Sequence, residues 1–163
     1  MRLPDEARLD VVTQGVGNDT IVAFTDGGLV ATLEGVMSLD EKVLHKVPAL
    51  ANALSGVRVH KEEFHYVVQP ASAPAELWSV DAAGKTTKLG AYPAAPSGVK
   101  AVSVTQPLLA PDDSLYAAGS ESANNGFEVI YRRTIDGTSE VVYTEADAPI
   151  VTMNAGSPMI TGP

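Results

Sequence analysis

Residues Glu128–Thr144 read EVIYRRTIDGTSEVVYT, two β-prone runs on either side of an Asp-Gly pair. An Asp-Gly turn between alternating apolar runs is a strong local signal for a β-hairpin, because both residues tolerate the positive φ angles of tight turns. The same signal occurs at Asp26-Gly27-Gly28 and at Asp81-Ala82-Ala83-Gly84, and successive aspartates are 55 residues apart in both cases. Three equally spaced hairpins predict three copies of one structural unit.

The runs around these turns predict a single all-β domain over residues 1–163. Apolar and polar residues alternate at strand period, which indicates four strands in each of the second and third units and three in the first. A further strand at Ile150–Met153 is expected to complete the first unit. The expected parts are repeat units at about 9–36, 57–92 and 98–145, a helical linker at 38–54, and a C-terminal strand and tail at 149–163.

The linker between the first two units breaks the strand pattern. Ser38–Glu41, with the sequence SLDE, fits a helix capping box, in which the first and last side chains each bond the other residue's backbone NH. The apolar residues of Val43–Val47 follow at helical spacing, and Pro48 suits the first turn of a second short helix, Ala49–Leu54. The sequence therefore predicts one short helical insertion near 38–54.

The third unit also has a family resemblance. Ala110–Ala118, with the sequence APDDSLYAA, resembles the S-P-D-G-x-x-hydrophobic-A opening of the propeller repeat of TolB-type proteins, and Glu128–Tyr143 is similar to the second half of that repeat. Glu76–Leu89 resembles the same second half, whereas Lys61–Glu63 stands where Pro-Asp-Gly is expected. The resemblance covers roughly residues 57–145. It implies propeller-like blades, each with four antiparallel strands.

Three blades are too few to close a propeller, which typically needs at least four. The resemblance therefore implies either a segment of a longer propeller or two copies joined in one six-bladed ring. An antiparallel β-sandwich is the alternative architecture, because unrelated β proteins share such strand-and-turn patterns.

Composition excludes several classes of function. A formal charge of −9 disfavours a nucleic-acid partner, since phosphate recognition needs clustered Lys and Arg. The chain has no cysteine, which removes disulfides, thiolate metal sites and cysteine nucleophiles. No apolar stretch approaches the length of a bilayer span, and the N-terminus lacks a signal-like apolar region. We expect a cytoplasmic or particle-associated protein, or an exported one whose signal has been removed.

The histidines invite a metal interpretation that the sequence does not favour. His60 and His65 flank two carboxylates in His60-Lys61-Glu62-Glu63-Phe64-His65. Residues five apart on one strand point to opposite faces, so these two histidines share an ion only if a turn intervenes. Glu63 and His65 are expected on one face as an ion pair. We predict no metal ligand here.

Signals for other chemistry are equally weak. Neither Ser120 nor Ser157 lies in a G-x-S-x-G elbow, and Gly15–Asp19 lacks the G-K-[ST] of a phosphate loop. Asp112-Asp113 and Asn124–Gly126 could line a calcium site, but they lack EF-hand spacing and are expected to form turns. The sequence therefore predicts no catalytic, cofactor-binding or metal-binding residue, and no cofactor.

By elimination, we predict a non-catalytic module for protein–protein interaction or structural assembly. Its expected partners are other protein chains, either copies of itself or a larger assembly, with no nucleic acid and no membrane insertion. One alternative is a structural component of a large particle such as a virion. Another is a non-catalytic propeller segment of a larger hydrolase or transport-associated protein.

Overall fold

A computed structural model describes residues 21–40, 43–101, 107–121 and 128–145. Apart from one short helix, the regular structure of these residues is β-strand, which confirms the predicted all-β class. The strands form three antiparallel sheets, none of them closed. The start of the first repeat unit (residues 9–20), the strand predicted at Ile150–Met153 and the loop Asn124–Gly126 lie outside the described residues.

The first sheet contains four strands in chain order. They are β1 (Ile21–Phe24), β2 (Leu29–Thr32), β3 (Gly35–Ser38) and β4 (Leu44–Lys46). Consecutive strands pair in an antiparallel meander. The sheet therefore extends ten residues beyond residue 36, where the first unit was expected to end.

The predicted helix over the first half of 38–54 is wrong. Ser38 ends β3, and Leu44 lies in β4, where Val36 of β3 pairs with His45. Strand pairing overrides the local capping signal, because it carries the chain on to bury Val47 in the core beside Val36. A 3₁₀ helix does follow at Pro48–Asn52, with the proline in its first turn as expected.

The second sheet has the four strands that the sequence predicts for the unit at about 57–92. It consists of β5 (Val57–His60), β6 (Glu63–Val68), β7 (Glu76–Val80) and β8 (Thr86–Ala91), again in chain order. In the middle strands, successive side chains are buried on opposite faces, so both faces of this sheet are covered. This sheet is therefore the middle layer of the molecule.

The third sheet contains five strands. They are β9 (Val99–Ala101), β10 (Leu108–Leu109), β11 (Leu115–Glu121), β12 (Glu128–Arg133) and β13 (Ser139–Thr144). The path runs β10-β11-β12-β13, and β9 pairs with the far end of β11. The sequence did not predict β10, because two residues are too short to show a period.

Two apolar clusters hold the three sheets face to face. At the first seam, between the first and second sheets, the buried residues are Leu29, Ala31, Val36, Val47, Leu50, Phe64, Tyr66 and Val80. At the second seam, between the second and third sheets, they are Val67, Ala75, Leu77, Tyr92, Leu109 and Leu115. A β-sandwich has two packed sheets, whereas the described residues form three.

Four hairpin turns share one backbone geometry. In each, the first residue's NH donates to the carbonyl of the fifth, the fourth residue's NH donates to the carbonyl of the first, and the fourth residue has positive φ. This is the three-residue hairpin loop whose left-handed position favours glycine. The four turns are Thr25–Leu29, Asp81–Lys85, Ala110–Ser114 and Thr134–Thr138.

The equal spacing of the three aspartates joins turns at different places in the fold. Asp26 lies between the first and second strands of its sheet, whereas Asp81 and Asp136 each precede the last strand of theirs. The spacing from 81 to 136 therefore marks equivalent turns, but the spacing from 26 to 81 does not. In the third sheet, the turn that corresponds to Asp26 is the one that contains Asp112 and Asp113.

Candidate functional site

The β5–β6 hairpin brings the two central histidines onto one face of the second sheet. Lys61 adopts a left-handed φ of 54° and reverses the chain between the strands. His60 then pairs with Glu63, and Arg58 pairs with His65, two positions further along the ladder. Because residues two apart share a face, all four side chains point the same way. A turn thus intervenes between His60 and His65, which is the condition under which the sequence allows the two histidines to share a face.

The two imidazoles form a compact cluster with carboxylates from two sheets. The rings of His60 and His65 stack with centroids 4.3 Å apart and planes within 7° of parallel. His65 Nδ1 lies 2.8 Å from Asp113 Oδ1, and His65 Nε2 lies 3.3 Å from Glu63 Oε1. The expected contact between Glu63 and His65 is thus present, although Asp113 is closer.

His65 is the enclosed member of this cluster, only 3% exposed, whereas His60 and Asp113 are half-buried. A neutral imidazole carries one N–H, so it can donate to one of the two carboxylates but not to both. The second nitrogen then offers a lone pair beside a carboxylate. That lone pair is available to a metal cation.

The third sheet supplies Asp113 from a constrained turn. Asp113 has a φ of 62°, at the position that glycine occupies in the three other turns of this type. Its backbone carbonyl accepts a 2.8 Å hydrogen bond from the hydroxyl of Tyr92. Burial, and then the charge of Asp113, raise the pKa of Tyr92 well above its ordinary value, so this hydroxyl keeps its proton and its donor role.

Further polar contacts cross the second seam. Arg58 lies on the histidine face, and its Nη1 donates to the carbonyl of Leu109 at 3.2 Å. Arg133 Nη1 donates to the carbonyl of Pro93, and Ser139 Oγ to the carbonyl of Ala94. These bonds fix the position of the third sheet along the second, and with it the distance between Asp113 and the histidines.

Asp112 belongs to a separate network on the third sheet. It accepts hydrogen bonds from the backbone NH and hydroxyl of Ser114, and Arg132 bonds both Ser114 and Asp112. Burial on its own would raise the pKa of Asp112, but the bonds from Ser114 and the charge of Arg132 together lower it. Asp112 is thus engaged in holding its turn.

The outer face of the first sheet, which faces away from the second, carries apolar side chains. Phe24 pairs with Val30 on this face, and its side chain is 70% exposed. A cavity of about 450 Å³ lies beside it. The residues that line the cavity are Ile21, Phe24, Thr25, Asp26, Gly28, Val30 and Leu39.

Two serines remain among the candidates from the sequence. Ser120 lies within β11, paired with Glu128 and Lys100, and Ser157 lies outside the described residues. Among the residues described, no helix has the length and apolar character needed to cross a membrane. Comparison of the chain with protein-family models, with curated proteins and with solved structures gives no match.

Proposed function

We propose that this protein is a non-catalytic interaction or assembly module, built from propeller-like β repeats and completed by further copies of the same chain. The observation that carries the proposal is how the three sheets pack on one another within the described residues. The middle sheet is covered on both faces, whereas each terminal sheet packs only one face on it. Sequence-consecutive four-stranded meanders packed face to face also fit the resemblance to TolB-type blades.

The outer face of the first sheet has the character of a buried surface. Phe24 and Ile21 are 70% and 40% exposed and flank an apolar cavity. On the outer face of the third sheet, Tyr116 pairs with Leu108, and Ile130 lies one strand away; all three are half-buried. Exposed apolar groups in a contiguous patch are typical of protein–protein contacts.

A second copy suits these faces because the chain already packs sheet on sheet twice. At both seams, aliphatic side chains of one sheet meet aromatic or aliphatic side chains of the next. Two stacks of three sheets would give six, a number within the range of closed propellers. The charge of −9 on each copy opposes this contact, so association should strengthen as salt screens the repulsion.

The test is the molar mass in solution, measured by size-exclusion chromatography with light scattering. We expect a species of more than one copy, whose share grows between about 0.01 M and about 1 M salt as the Debye length falls from about 30 Å to about 3 Å. Phe24→Asp should shift the chain towards one copy. Leu89→Asp changes a side chain that is also exposed, on the edge strand β8 of the middle sheet, and should leave the mass unchanged.

A wild-type chain that stays a single copy throughout this salt range would overturn the proposal. Equal effects of the two aspartate variants would also count against it, because the contact would then not involve the outer face of the first sheet.

A further inference from the structure

We propose that His60, His65 and Asp113 bind one divalent transition-metal ion, with Zn²⁺ the best fit. The ion would tie the β5–β6 hairpin of the second sheet to the β10–β11 turn of the third. This inference stands apart from the proposed self-association, since all three ligands belong to one chain. It rests on the donor atoms of the three side chains, on the groups that hold them and on the turn that carries Asp113.

The donor set has the chemistry of a zinc site. Two imidazoles and one carboxylate are ligands that zinc accepts in proteins, with a fourth position for water. One ligand atom from each of the three residues lies within 4.8 Å of the others. Bond lengths of about 2.0–2.2 Å in a tetrahedral site place ligand atoms about 3.3 Å apart. A change in the rotamer of His60 would close this difference.

The nitrogen that would bind the ion is Nδ1 of His65, which already lies 2.8 Å from Asp113 Oδ1. The other nitrogen, Nε2, then keeps its proton and donates to Glu63 Oε1, 3.3 Å away. A carboxylate behind a metal-bound histidine fixes the tautomer and raises the basicity of the ring. Glu63 thus has the position of an orienting group rather than a ligand.

The surrounding charges leave room for a cation. Arg58 lies on the same face of the sheet, but its guanidinium donates to the carbonyl of Leu109. The Tyr92 hydroxyl donates to the backbone carbonyl of Asp113 and so holds the turn that carries this carboxylate. Asp113 and Glu63 bring two negative charges to the two imidazoles.

His60 is the ligand that has to move. An ion lies in the plane of a coordinating imidazole, so two parallel rings 4.3 Å apart cannot both direct a lone pair at one point. His60 is half-buried and ends β5 next to the turn, which allows its ring to rotate out of the stack. Binding should therefore break the stack between His60 and His65.

The turn sequence supports a specific role for Asp113. The three other turns of this geometry carry glycine at the left-handed position, at Gly28, Gly84 and Gly137. A non-glycine residue there costs backbone energy, and such strain is typical of positions whose side chain has a function. This comparison also provides a sharp variant, because Asp113→Gly removes the carboxylate and fits the backbone.

The experiment titrates the purified chain, stripped with chelator, with ZnCl₂ in a calorimeter and with CoCl₂ in an absorption spectrometer. We expect one ion per chain, visible d–d bands from bound Co²⁺, and a higher melting temperature with Zn²⁺. His60→Gln and Asp113→Gly should each weaken binding at least about tenfold, the lower end of the loss seen when even outer-shell groups are removed. His45→Gln, which removes the third histidine of the chain, should bind as the wild type does.

Thermal unfolding in the absence of metal shows whether each variant is still folded. Asp113→Gly loses the bond to His65 but relaxes the left-handed backbone at this position. It should therefore melt close to the wild type, so weaker binding in this variant reports the missing ligand. Absence of one-to-one binding to the wild type would overturn the proposal. Binding that His45→Gln abolishes, or that Asp113→Gly and His60→Gln leave intact, would overturn it as well, because the ion would then lie elsewhere.

Discussion

The two seams of this molecule join similar sheets by different means. The first seam is a cluster of aliphatic and aromatic side chains around Phe64 and Tyr66, covered at one end by Leu50 of the 3₁₀ helix. The second seam combines a smaller apolar cluster with hydrogen bonds from Arg58, His65 and Tyr92 to the third sheet. Apolar contact is non-directional, whereas hydrogen bonds fix relative position. The second seam is therefore the one that can hold a site.

This difference predicts how each seam responds to substitution. The first should be sensitive to lost volume and insensitive to the loss of a single polar atom. The second should respond to polar changes as well.

The largest effect should come from emptying the first seam. Phe64 is fully buried, so Phe64→Ala should lower the free energy of unfolding by about 3–5 kcal/mol through lost burial and a cavity. Urea denaturation followed by circular dichroism measures this change. Leu89→Ala is the control, since Leu89 is exposed on the edge strand β8 and its truncation should stay within about 0.5 kcal/mol. Equal losses for both variants would contradict the assigned core.

A glycine pair tests how closely the first two sheets approach. Gly84 and Gly137 both have left-handed φ in turns of one geometry, so alanine at either should cost about 1–2 kcal/mol in backbone energy. A methyl group at Gly84 would also lie 2.6 Å from Cβ of His45 in the first sheet, whereas nothing lies within 4 Å at Gly137. Gly84→Ala should therefore destabilise the chain more in urea denaturation. The reverse order would mean that the first seam is looser at this turn.

A tyrosine pair tests the polar character of the second seam. Tyr92→Phe removes the hydroxyl that donates to the carbonyl of Asp113 and should cost about 0.5–1.5 kcal/mol. Tyr66→Phe, at the first seam, should change stability less, because no hydrogen bond joins the Tyr66 hydroxyl to another described residue. Chemical denaturation of both variants under one set of conditions gives the comparison. A larger loss for Tyr66→Phe would remove the distinction between the seams.

The smallest predicted effect is on the stability of the folded chain at acid pH. The pKa of Asp112 is lowered in the folded chain, so its contribution to stability is present above the ordinary aspartate pKa. That contribution is lost as pH falls through the lowered value. Asp112→Asn should therefore flatten the fall in stability below about pH 4, by about 1 kcal/mol or less because the side chain is half exposed. Urea midpoints measured at neutral pH and in acid test this, and an unchanged acid dependence would contradict it.

The sequence predicted the second and third sheets well and the first sheet poorly, for a physical reason. In the later units, Asp81 and Asp136 lie in equivalent turns that precede the last strand, so the periodic signal matches the structure. In the first unit, Asp26 lies one hairpin earlier, and the last strand β4 is only three residues long. Val43–Val47 fits a helical pattern locally, and only pairing with β3 decides for a strand.

The candidate site could be predicted only in part. The contact between Glu63 and His65 follows from strand period, but the meeting of His60 and His65 depends on a turn at Lys61 and Glu62, which lack Gly, Asn and Pro. Asp113 is 48 residues from His65 and reaches it only because the second and third sheets stack. No local pattern in the sequence encodes that distance.

Sedimentation equilibrium of the unmodified chain tests most directly the claim that other copies complete the stack of sheets. We predict an average mass that rises with concentration above the 17.0 kDa of one chain and approaches twice that value in high salt. A constant mass of one chain at every concentration and salt would contradict the account.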